Sequence, residues 1–153
     1  MFRFALPLAA MLTAMAAGPT AASGDIVRIK SAATVSATAD ALESVVAKAG
    51  ATVFARIDHG AGAASVGMEM PDSQLVIFGN PRLGTPAMQD DPLAGLFLPL
   101  KVLVYADARG QTWIAYEEPG ETLDDLGIPD DAPYLAKMRG ALQNLTMAAA
   151  AGG

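Results

Sequence analysis

The chain has 153 residues, no cysteine, and 10 Lys+Arg against 16 Asp+Glu, a formal net charge of −6; 52% of it is hydrophobic. That apolar content argues against a disordered tail, and the acidic balance against a nucleic-acid partner, which needs a basic face to meet phosphates. The missing cysteines remove disulfides, thiolate catalysis and thiolate metal sites, and the length predicts one domain.

Residues 1–23 read as a secretory signal peptide. Arg3 precedes the uncharged run Phe4 to Ala17, and small residues from Gly18 to Gly24 follow, with cleavage expected after Ala22 or Ser23. The run is shorter than the roughly 20 residues a spanning helix needs, so no membrane span is expected after processing. Loss of Arg3 leaves 9 basic against 16 acidic residues, near −7. The expected organisation is a signal at 1–23, one domain at 24–147 and a flexible tail at 148–153, in a periplasmic or secreted protein.

In chain order, Ile26 to Lys30 alternates apolar and basic residues and predicts a strand. A helix is expected over 38–49, capped by Ser36 or Thr38. Leu42, Val45, Val46 and Ala49 line one face of it, and Gly50 stops it. Thr52 to Asp58 is β-branched and aromatic, a strand; Gly60 to Gly67 is a loop or short helix. Gln74 to Gly79 predicts a buried strand, closed by an Asn80-Pro81 turn. Thr85-Pro86 predicts a helix start, with Thr85 as cap and Pro92 as the end. Leu98 to Ala106 and Gln111 to Glu117 are strands joined by an Asp107–Gly110 hairpin. Leu123 and Leu126 suggest a turn or two of helix. A final helix follows, capped by Asp130 or Asp131, with Pro133 in its first turn and Tyr134, Met138, Ala141, Leu142 and Leu145 on its face. The tail from Ala148 should fray. The order β-α-β-(short element)-β-α-β-β-α-α predicts an α+β fold, a single antiparallel-rich sheet backed by helices.

Three dense stretches carry a resemblance: Thr52-Val53-Phe54-Ala55-Arg56-Ile57-Asp58-His59; Leu75-Val76-Ile77-Phe78-Gly79-Asn80-Pro81 running on through Gly84-Thr85-Pro86-Ala87-Met88; and Leu98-Pro99-Leu100-Lys101-Val102-Leu103-Val104-Tyr105. With Trp113-Ile114-Ala115-Tyr116 after them, the chain from about 34 to 116 resembles the bacterial domain-of-unknown-function family 302. The resemblance implies a TATA-binding-protein-like β-α-β-β-α-β-β-α fold and a homodimer, and it implies no activity.

Few residues suggest chemistry. His59 is the only histidine and ends a strand beside Asp58, but adjacent strand residues point to opposite faces, so Asp58 does not orient it. His59 reads as a turn-fixing hydrogen-bond donor, a ligand contact, or a catalytic base. Gly60 to Ser65 nearly spells a dinucleotide fingerprint, yet no acid lies about 20 residues on and the flanking units are not βαβ. Asn80 to Thr85 leads into a helix start, where free N–H groups and Arg82 suit an anion; the plainer reading pairs Arg82 with a residue such as Asp90. Lys101, alone in an apolar strand, either reaches solvent or pairs with a carboxylate such as Glu117, with an activated amine as the third option.

These observations favour a non-catalytic small-ligand-binding or interaction domain with no cofactor. The expected site groups His59, Asn80, Arg82, Thr85 and Lys101 around a small anionic or apolar-acidic ligand. A periplasmic copper or haem handling protein using His59, Met68, Met70 and Met88 is the alternative, although thioethers also fill cores. A hydrolase or isomerase using His59 or Lys101 is the third reading, and no nucleophile-elbow motif supports it.

Overall fold

The computed structural model describes residues 26–152; the expected signal peptide at 1–23 lies outside the described residues. Five strands form one antiparallel sheet: β1 (Ile26–Ser31), β2 (Thr52–Asp58), β3 (Ser73–Gly79), β4 (Leu100–Ala106) and β5 (Thr112–Glu117), in the order β1-β5-β4-β3-β2. Helices α1 (Val35–Lys48) and α5 (Pro133–Ala150) pack on one face. Between the strands come α2 (His59–Ser65), α3 (Pro81–Asp90) with a 3₁₀ turn (Pro92–Leu96), and α4 (Pro119–Thr122). The α+β architecture and the element order follow the expectation.

Alternation assigns each strand two faces. Val76, Phe78, Val102, Val104 and Ile114 point to the helices and are fully or almost fully buried, packed on Leu42 and Val46 of α1 and Leu142 of α5. Ile57, Leu75, Ile77, Lys101, Leu103, Tyr105, Trp113 and Ala115 take the other side by register, which no described helix covers. β1 adds Arg28 and Lys30 there, the latter lying over the Trp113 ring at 5.3 Å from its centroid.

Several boundaries differ from the sequence expectation. Thr34, not Ser36 or Thr38, caps α1, its hydroxyl accepting from the Ala37 N–H, because Val35 and Thr38 are both needed inside; Thr38 shares a 2.7 Å hydrogen bond with Ser31. Gly50 does stop the helix, at φ +73°. Neither Asp130 nor Asp131 caps α5. Ala132 precedes it, tied by its N–H to the Pro129 carbonyl, and Pro133 leaves one fewer free donor to satisfy. The helix continues to Ala150, with Ala149 fully buried in the core, so the fraying expected from Ala148 is not what the fold needs. The helical turn expected around Leu123 and Leu126 sits earlier, at Pro119–Thr122, capped by Glu118.

Candidate functional site

The turn after β3 becomes a helix start rather than a loop. Asn80 adopts extended backbone and its Oδ1 accepts from the Arg82 N–H (3.0 Å), while Pro81 takes the first helical position. Thr85 is therefore not the cap, and Pro86 lies inside α3. Both Asn80-Pro81 and Thr85-Pro86 satisfy the cap-then-proline rule; the end of β3 at Gly79 selects the first. Pro86 lacks the N–H that would meet the Arg82 carbonyl, so α3 is one helical bond short.

A second apolar cluster anchors this helix: Ala87, Ala94, Leu123, Ile128, Leu135 and Met138. Two polar ties reinforce it. Tyr134 donates to Asp90 Oδ2 at 2.8 Å, and burial together with that carboxylate pushes the phenol up to about 12. Asp91 accepts from the N–H groups of Gly127 (3.0 Å) and Leu93 (2.9 Å), which holds its carboxyl below the usual range. Further along, burial raises the Glu118 carboxyl, but the Arg139 guanidinium and the Gly120 N–H outweigh burial and leave it lowered.

Between α3 and the sheet end lies a cavity of about 350 Å³. Leu83, Gly84, Thr85 and Met88 form one wall; Phe54, Gly79, Asn80 and Pro81 a second; Leu98, Pro99 and Leu100 a third; and Met138, 1% exposed, lies at its base. Asn80 and Thr85 are the polar side chains of the lining, and none of its residues is ionisable. Two glycines create the space. A Cβ on Gly79 would press Phe54 and Pro99, each at 3.4 Å, and one on Gly84 would face Leu98 at 3.8 Å. The Leu98–Pro99 peptide bond is cis.

Of the expected site residues, Asn80 and Thr85 meet at this cavity. Lys101 and Arg82 are exposed and do not line it; register turns Lys101 to the uncovered sheet face. Lys101 makes no ion pair with Glu117; its ammonium donates to the Phe97 and Pro99 carbonyls (2.6 and 3.5 Å). Asp90, expected to hold Arg82, is taken by Tyr134. His59 does not belong to the group. Pairing of Thr52 with Gly79 and of Asp58 with Gln74 sets it at the opposite end of β2, about 20 Å away at about 3.4 Å per residue. There Asp58 caps α2 through the Ala61 N–H, and His59 is exposed. The expected metal set is divided likewise, with Met88 in the cavity wall and Met68 and Met70 in the segment between α2 and β3, at the His59 end.

The cavity's apolar walls are not marked in the sequence: Phe54 and Leu98 fall in strand runs, Leu83 in the stretch leading into a helix, and Met138 on the face of the last helix. The sequence reading missed the Arg56 cluster, in which that guanidinium gathers Asp40, Glu43, Gln74 and the Ser36 carbonyl and locks β2 to α1. An arginine inside the strand Thr52 to Asp58, facing the helix side, was the signal available.

The model of the family described as "Domain of unknown function DUF302" matches residues 27–145. The chain is 40% identical over 107 residues to proteins named "Fluoride-specific ion channel FluC 1" in Brucella suis biovar 1 (strain 1330) and Brucella abortus biovar 1 (strain 9-941). Each match covers 67% of this chain and 42% or 40% of the relative, so the chain spans about two fifths of their length. No helix among the described residues is long and apolar enough to cross a membrane. The crystal structure of the uncharacterized conserved protein DUF302 from Bacillus stearothermophilus has the same fold, at TM-score 0.74 and 18% identity, covering 81% of this chain and 97% of that one.

Proposed function

The chain belongs to the family of the domain of unknown function DUF302, and from that premise we propose that it is a non-catalytic domain binding a small ligand in the cavity between α3 and the sheet end. The observation that carries this reading is the cavity itself, whose volume lies within the range of small-molecule sites and whose walls are apolar with two polar side chains. Separation of His59 from Asn80, Thr85 and Lys101 removes the one grouping that would have offered a base beside a binding loop. The test uses 1-anilinonaphthalene-8-sulfonate, a dye that brightens in apolar surroundings. One equivalent should bind the native chain and fail to bind Gly84→Leu, whose added side chain would project toward Leu98 and Met88. Equal brightening of both proteins would overturn the reading.

The same proposal includes export and pairing. Export rests on the Arg3, Phe4–Ala17 and small-residue layout, and amino-terminal sequencing of the protein from fractionated cells should begin at Ser23 or Gly24. An intact Met1 on all of the protein would refute it. Pairing into a homodimer rests on the uncovered sheet face. Five strands about 4.8 Å apart and six residues deep span roughly 24 by 20 Å, so two copies together bury about 1,000 Å², the lower limit for a specific interface. A two-fold axis along the strands sets the Arg28 and Lys30 flank of one copy over the β2 flank of the other. The perpendicular axis would stack those cations on themselves. Sedimentation should give a dimer for the native chain and a monomer for Ile77→Lys; a monomer for both would refute pairing.

A further inference from the structure

What the cavity takes follows from the side chains that line it. Among the described residues no ionisable side chain does so, and the anion expected of the Asn80–Thr85 loop would need Arg82 or Lys101, neither of which lines it. A carboxylate drawn inside would lose its water with no cation to receive it. The aromatic wall is a built feature. Val53 pairs with Phe78 and Ala55 with Ile77, neighbours in β3, so Phe54 is the extra residue of a β-bulge in the edge strand β2. Bulges re-aim side chains. Here the ring leans across the end of β3: its Cε2 lies 3.4 Å from where a Cβ on Gly79 would stand, and the residue stays 57% exposed, so core packing does not account for it. Asn80 supplies a directed donor. Its Oδ1 takes the Arg82 N–H at 3.0 Å, which fixes the orientation of the amide and leaves its NH₂ group without a partner among the described residues. The Thr85 hydroxyl can turn to donate or accept, so the amide sets the polarity of the site.

Resting on the reading of the cavity as a ligand site, we infer that it takes an uncharged, flat aromatic molecule with one accepting oxygen. The ring lies against Phe54, and the oxygen receives an N–H of the Asn80 amide. A cavity of about 350 Å³ takes about a dozen water-sized groups at about 30 Å³ each, enough for two fused rings and a carbonyl. The thioethers of Met88 and Met138 also favour a ring, because sulfur makes attractive contacts at aromatic edges. Contact of one aromatic ring with another strengthens binding about threefold to tenfold beyond the area it buries, and one neutral hydrogen bond about fivefold.

Calorimetric titration of the native chain with four probes of nearly equal size tests the assignment: 2-acetylnaphthalene, its saturated counterpart 2-acetyldecalin, 2-ethylnaphthalene, which lacks the oxygen, and 2-naphthoate, which carries a charge. The aromatic ketone should bind tightest. The saturated ketone should be at least threefold weaker, the hydrocarbon about fivefold, and 2-naphthoate at least tenfold. Phe54→Leu, at an exposed edge position, should bring the two ketones level. Asn80→Asp keeps an oxygen to cap α3 but replaces the donor by an acceptor, and should remove most of the ketone's advantage over the hydrocarbon. Binding of 2-naphthoate or 2-acetyldecalin as tight as that of the aromatic ketone, or preferences unchanged in the two variants, would overturn the assignment while the cavity remained a ligand site. If none of the four binds, the cavity reading itself fails.

Discussion

Replacing Tyr134 by Phe isolates the tie that fastens α3, which forms one wall of the cavity. The phenol is 8% exposed and donates to Asp90 Oδ2 at 2.8 Å, joining the end of α3 to the start of α5. A hydrogen bond to a charged acceptor contributes about 1.5–3 kcal/mol. Asp90 is exposed and regains water when the hydroxyl is removed, so the lower end applies, about 1.5 kcal/mol, or roughly 4–6 °C in Tm. The pH dependence gives a sharper reading. The folded phenol is raised to about 12 from an ordinary value near 10, so the fold favours its neutral form. Its contribution is fully present below pH 10 and declines as pH rises from 10 through 12. Urea unfolding followed by the fluorescence of Trp113, the only tryptophan, should therefore show native protein more stable than Tyr134→Phe at pH 8. That gap should shrink at pH 11. Every other titrating group is common to both proteins and cancels in the comparison. A gap that is absent at pH 8, or unchanged at pH 11, would refute the role assigned to this pair.

Pro86→Ala should stabilise the chain by about 1 kcal/mol, since a regained helical bond at the Arg82 carbonyl exceeds the entropy returned to the unfolded chain; a lower urea midpoint would show that the ring is needed where it packs. Leu42→Ala, at a fully buried α1 position against the sheet, should cost about 2–5 kcal/mol in the same assay, and a loss below 1 kcal/mol would mean the α1–sheet core collapses to fill the gap. Glu118 is depressed in the fold, so its contribution is present above the ordinary carboxylate value and is lost as pH falls through the lowered one. Glu118→Gln should therefore be less stable than native protein at pH 7 and approach it as the solution is taken below pH 4, a convergence that acid titration of Tm checks.

The sheet was legible in the sequence because each strand declares itself locally. Leu98 to Ala106 and Gln111 to Glu117 carry β-branched and aromatic runs around a hairpin closed by Gly110, at φ +80°, and a local rule suffices to find them. Their apolar residues also fall on both faces, which is why helix-side Val102 and open-side Leu103 could not be told apart by composition. The site was harder for a geometric reason. His59 and Asn80 each end a strand in sequence, and grouping them assumes that strand ends lie together. Antiparallel pairing of β2 with β3 brings the start of one against the end of the other, so His59 neighbours the first residues of β3 and Asn80 neighbours Thr52. Recognising the two strands as an antiparallel pair would already have separated them. The cavity needed more, because its floor is Met138, 58 residues beyond Asn80, and its space comes from side chains that Gly79 and Gly84 lack. A missing side chain leaves no periodic signal. It becomes a site only when a helix from the far end of the chain closes over it, as α5 does here.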